Sequence, residues 1–203
     1  MRRRALLFVA GLGAVAVLSF VAMRGLVGSE RHGDGEGPLG SYGVPGAGGE
    51  GMRVNPASGA TSWTYGVDLC LDSGGQPAVL ESVGPTVSVG SGYQVLGTGV
   101  REFDATPDHN GIISVDPWPP PTAQVPDPIS PVAGFAVSTP CTHGAFGPAT
   151  ELLVGLAVTS ADGGGWQGIE VSYTAGGRHH VLVLNHDLMI CGQSVDCSLP
   201  TGS

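Results

Sequence analysis

Glycine and proline, 35 and 16 of 203 residues, recur every few positions beyond Met23, and no stretch there keeps the 3.6-residue apolar period of a helix. What the sequence keeps instead is a period of two. In WTYGVDLCLD, Trp63, Tyr65, Val67, Leu69 and Leu71 alternate with Thr64, Gly66, Asp68, Cys70 and Asp72, as in a strand with one buried face. Similar short runs occur at Ala78–Val83, Tyr93–Phe103, Gly111–Val115 and Val132–Ser138. ELLVGLAVTS, GIEVSYT and RHHVLVL complete the series, and the last two flank Gly176-Gly177, a natural hairpin turn. Seven or eight short strands in about 140 residues predict an all-β domain. Two antiparallel sheets packed as a sandwich fit best, with a barrel as the alternative. The architecture is Ig-like only in outline: Trp118 lies far downstream of Cys70, and Thr139 stands two residues before Cys141, where a true immunoglobulin domain carries Tyr.

The N-terminus is of another kind. MRRR precedes an uncharged run from Ala5 to Met23, which as a helix would span roughly 28 Å. The arginines on its leading side retain residues 1–4 in the cytoplasm and export the remainder of the chain. The reading is a transmembrane signal anchor over residues 5–24, so the partner of residues 5–23 is the membrane itself. The rival is a signal peptide cleaved near Ser29, which would leave the protein secreted. Residues 25–60 are dense in Gly and low in large apolar side chains, a flexible linker with a reach of roughly 30–36 Å. Residues 61–200 are the extracytoplasmic domain.

Charge and composition exclude several functions. All 17 acids and only four of the eight basic residues lie beyond Arg24, a net charge of −13 on the exported part, which repels nucleic acid. Every basic residue is Arg; without Lys there is no Walker A site, no Schiff base and no Ser-x-x-Lys nucleophile. No motif implies a cofactor. Gly-x-Ser-x-Gly and His-Glu-x-x-His are absent from the sequence, so the expected role is not enzymatic. The oligomeric state is not legible in it.

Four cysteines in an exported chain read as two disulfides, with three pairings open. The spacing of CGQSVDC favours Cys191 with Cys197, leaving Cys70 for Cys141. The C-terminal RHHVLVLNHDLMIC offers His180, His186 and Met189 as an alternative metal set for copper or zinc. Two features oppose it. Adjacent His179 and His180 point to opposite faces of a strand, and the order His186, Met189, Cys191 departs from the cysteine, histidine, methionine grouping of a blue-copper site. CTHG reads as a disulfide cysteine beside a loop histidine, and FDATPDHNG as a polar hairpin loop rather than a calcium loop. DPWPPPTAQVPDPISP, Asp116–Pro131, is an extended proline-rich connection that bridges the sheets or serves as a docking ligand, with Trp118 either a lid on the core or an exposed anchor.

The basic start, apolar anchor, Gly-rich linker, Lys-free domain, VSYTAGGRHHVLVL and terminal cysteine pair together resemble small exported proteins of high-GC Gram-positive bacteria. The resemblance implies location and β architecture and transfers no functional residue. The expected function is a membrane-tethered binding or structural module of the cell envelope, with an envelope protein or the cell wall as partner. The alternatives are a copper or zinc binder and a secreted hydrolase.

Overall fold

A computed structural model describes residues 37–41, 51–56, 59–72, 75–106, 111, 114–115, 117–141 and 146–196. The expected basic tail (residues 1–4) and anchor (5–24) lie outside the described residues. Among those described, no α-helix occurs and, apart from a 3-10 position at Pro56, the regular elements are strands. The strands are β1 (Leu39–Gly40), β2 (Gly51–Val54), β3 (Ser62–Leu71), β4 (Ala78–Gly90), β5 (Tyr93–Ala105), β6 (Ser114–Val115), β7 (Ala136–Val137), β8 (Gly147–Val158), β9 (Gly164–Ala175), β10 (Arg178–Leu184) and β11 (Asp187–Ile190).

They form two sheets. The first has the order β1-β3-β8-β5, with β6 on β3 alongside β1; the second has the order β2-β11-β9-β4-β7, with β10 on β9 alongside β11. One apolar core draws on both: Trp63, Tyr65, Val67 and Leu69 from β3, Leu152, Val154 and Leu156 from β8, Ile169, Val171 and Tyr173 from β9, and Leu182 and Leu184 from β10. The alternation read in β3 is therefore the alternation of its core face. The β9–β10 hairpin turns at Gly176-Gly177, where φ values of +58° and +74° require residues without a Cβ penalty.

The linker reading is corrected for part of its length. Leu39 and Met52, only 3% and 5% exposed, insert at open strand edges, β1 on β3 at Leu71 and Cys70 and β2 on β11. Two apolar side chains and a few ladder bonds, such as Asp72 N–H to Pro38 O at 2.8 Å and Cys191 N–H to Val54 O at 2.8 Å, suffice to order segments whose composition alone predicts a coil. The β2–β11 pair is parallel, so the second sheet is mixed rather than purely antiparallel. A chain that returns from the N-terminal side to the edge of the last strand has no hairpin to set its direction.

Two expected strands end differently from their sequence pattern. Val132–Ser138 yields only Ala136–Val137, because a turn closes Phe135 N–H onto Val132 O at 3.1 Å and places Gly134 at φ +85°. β4, in contrast, runs past Pro85 to Gly90. Pro85 pairs with Ile169 of β9, and β7 borders β4 only at Ala78 and Val79, so the missing N–H faces a side where no ladder is interrupted.

Candidate functional site

The first sheet carries a second buried face. Position by position across β3, β8 and β5, the residues opposite the main core read Asp68–Glu151–Arg101, then Gly66–Leu153–Gly99, then Thr64–Gly155 with Gly97 beside it. Four glycines leave a trough, and the proline-rich connection of residues 117–131 lies in it as a strap. Trp118 rests on Gly155 and Gly97, Ile129 on Gly99, and Val125 joins Leu153 in a small apolar cluster. Polar ties pin the strap along its length. Thr64 Oγ1 donates to Pro117 O at 2.9 Å, Trp118 N–H donates to Ser62 Oγ at 3.3 Å, and Ser130 and Val100 exchange backbone bonds of 2.8 and 2.9 Å. Where the sequence suggests a bridge between the sheets or a docking ligand, the connection instead covers the outer face of the first sheet on its way from β6 to β7, and Trp118, half-buried, lies over that trough rather than as a lid on the main core.

At the far end of the trough the covered face turns ionic. Arg101, 1% exposed, donates from Nε to Glu151 Oε2 at 2.6 Å and from Nη1 to Asp127 Oδ2 of the strap at 3.0 Å, and its guanidinium lies 4.2 Å from the centre of the Phe103 ring. Burial alone would make this cation costly; two carboxylates and an aromatic face offset that cost. Asp68 stands next in the row. Its Oδ1 is buried without a hydrogen-bond partner, and burial pushes its carboxyl above the ordinary 3.8, an effect the Arg101 charge opposes in part.

Beside this cluster opens a pocket of about 530 Å³, lined by Glu102, Phe103 and Asp104 of β5, Asp127 of the strap, Ser138–Pro140, and Pro148 and Ala149 of β8. Thr139 and Thr150, whose hydroxyls are 2.7 Å apart, brace its wall. Three carboxylates around apolar Phe and Pro surfaces suit a cationic group carried on an apolar stem. Of the three, Asp127 already accepts from Arg101, so Glu102 and Asp104 are the acids left to meet such a guest.

The structure separates most of the residues singled out in the sequence. Cys70 and Cys141 form a disulfide with Cα atoms 4.8 Å apart, as expected. Cys191 is also disulfide-bonded, and its expected partner Cys197 lies outside the described residues, as do Asp108, His109, Asn110 and His143. The alternative metal set does not converge. His180 stacks on Tyr173 at 5.2 Å, whereas His186, past the other end of β10, has its Nδ1 2.8 Å from Tyr65 Oη. Met189 is buried in β11, and oxidised Cys191 offers no thiolate. His179 Nδ1 lies 3.0 Å from Glu81 Oε2, an acid-oriented imidazole, but the nearby Thr174 hydroxyl donates to Glu81 rather than to the imidazole. Among the described residues no three His, Cys, Asp or Glu side chains form a metal-holding group.

The ionic row and the acidic pocket were missed by sequence reasoning. The available signal was Glu151 at the head of ELLVGLAV, a run apolar at both parities: a strand buried on both faces must have its charged member paired.

The fold and site define an all-β protein of two sheets, tied by a disulfide, with a strapped outer face and an acidic pocket. In comparison with known proteins, no family model matches the chain and no curated protein is significantly similar to it.

Proposed function

We propose that this chain is a membrane-tethered binding module of the cell envelope, held by residues 5–23 with its β-domain outside the cytoplasm, and that its pocket receives a cationic group of an envelope protein or wall polymer. The observation that carries the reading is the pocket itself, where Glu102, Asp104 and Asp127 surround about 530 Å³ between Phe103 and two prolines. The Cys70–Cys141 disulfide supports an oxidising compartment, and the net charge of −13 beyond the anchor attracts cations over a Debye length.

The test is calorimetric titration of the full chain in detergent micelles with wall fragments bearing free amines, beside the same fragments N-acetylated. Binding should require the free amine, weaken with salt, and fall at least tenfold in the Glu102→Gln/Asp104→Asn variant. Binding indifferent to both acetylation and the variant refutes the pocket. Full protection of the domain from protease added to wall-stripped cells refutes the location.

A further inference from the structure

We propose that the strap of residues 117–131 is a proton-controlled clasp: Asp68 and Glu151 share a proton on the covered face of the first sheet, the strap is held while that proton is bound, and it loosens when the proton is lost. The geometry places the two acids together. They are direct cross-strand partners on β3 and β8, and a methyl group built on Gly111 would lie 3.0 Å from Glu151 Oε1 and 3.3 Å from Asp68 Oδ1, so both oxygens face one small space. Asp68 Oδ1 is buried there and lacks a partner, a defect that a proton on Asp68, donated toward Glu151 Oε1, removes.

The groups facing Asp68 are Glu151 from β8, Arg101 from β5 and, beyond Arg101, Asp127 from the strap; β6 contributes none, and Asp108, His109 and Asp116 of the preceding connection lie outside the described residues. With all three acids ionised around one guanidinium the cluster carries −2. A second charge is then left buried beside an arginine already shared between Glu151 and Asp127. An ionised Asp68 draws the guanidinium toward β3 and away from Asp127, which is the strap's ionic tie. With Asp68 protonated, Arg101 is left to Glu151 and Asp127, in the arrangement seen. Burial raises the Asp68 carboxyl above 3.8, in keeping with a proton retained in the closed state.

Linkage gives the sign. The closed state binds the Asp68 proton more tightly than the open one, so the contribution of Asp68 to the clasp is fully present below pH 3.8 and is lost as the pH rises from there through the raised value of the closed state, then levels off. The Ser130 and Val100 amides, which bond across the strap–β5 junction, report it directly.

Their hydrogen-exchange protection factors, normalised to intrinsic rates at each pH, should be measured by NMR on the full chain in micelles. Wild-type protection should fall by up to about tenfold per pH unit inside that window. Asp68→Asn, which donates an amide N–H in place of the carboxylic proton, should hold a flat, high protection across it. A wild-type profile without that fall, or an Asp68→Asn profile identical to wild type, overturns the proposal. If Asp68→Asn does not fold, a ¹³C titration of the wild-type Asp68 carboxyl decides alone: a midpoint above 3.8 that coincides with the loss of Ser130 protection supports the clasp, and a midpoint at or below 3.8 overturns it. This readout involves no pocket ligand, so it stands or falls separately from the binding reading.

Discussion

Gly155→Ala adds one methyl group to a central strand, at a position where φ is not positive and Ala adopts the backbone without strain. On local grounds it should stabilise, since Gly in a strand costs about 0.5–1 kcal/mol relative to Ala. The tertiary structure reverses the sign. The new Cβ would lie 2.2 Å from Trp118 Cδ2, 2.4 Å from Cγ and 2.6 Å from Cε3, all rigid atoms of one indole, so the ring must leave the trough. Overpacking of this kind costs about 1–3 kcal/mol. The predicted net loss is about 1–2 kcal/mol, and it should vanish in a Trp118→Ala background, where Gly155→Ala becomes neutral or stabilising by about 0.5 kcal/mol. The assay is urea unfolding of all four proteins with disulfides intact, read as midpoint shifts at constant slope. Equal effects of Gly155→Ala in both backgrounds would show that the strap is not seated on the glycine floor.

Replacing Cys70 and Cys141 together by Ser opens a crosslink between residues 71 apart in sequence and should lower stability by about 4 kcal/mol in the same unfolding assay. Arg101→Ala leaves Glu151, 1% exposed, without its cation and should cost about 3–5 kcal/mol, whereas Arg101→Met with Glu151→Gln should recover much of that loss; thermal denaturation of the two variants side by side measures the difference.

The parts of this fold legible in the sequence are those whose pattern is local. Trp63 to Leu71 declare a core face by alternation, and Gly176-Gly177 declares a hairpin because the turn geometry itself demands positive φ. β1 and β2 are too short to show any period. Their order comes from Leu39 and Met52 meeting edges set by strands far along the chain, a non-local gain that composition does not report. The outer face of the first sheet was hidden for a related reason. Asp68, at a polar position of an alternating strand, reads as solvent-facing; in the fold it stands in one row with buried Glu151 and Arg101, Gly111 lies against its Oδ1, and Trp118, Val125 and Ile129 cover the adjoining rows of the same face. The same glycines that weaken each strand taken alone admit the strap: Gly97 and Gly155 seat Trp118, Gly99 seats Ile129, and the strap thereby brings Asp127 to the Arg101 that Glu151 also holds.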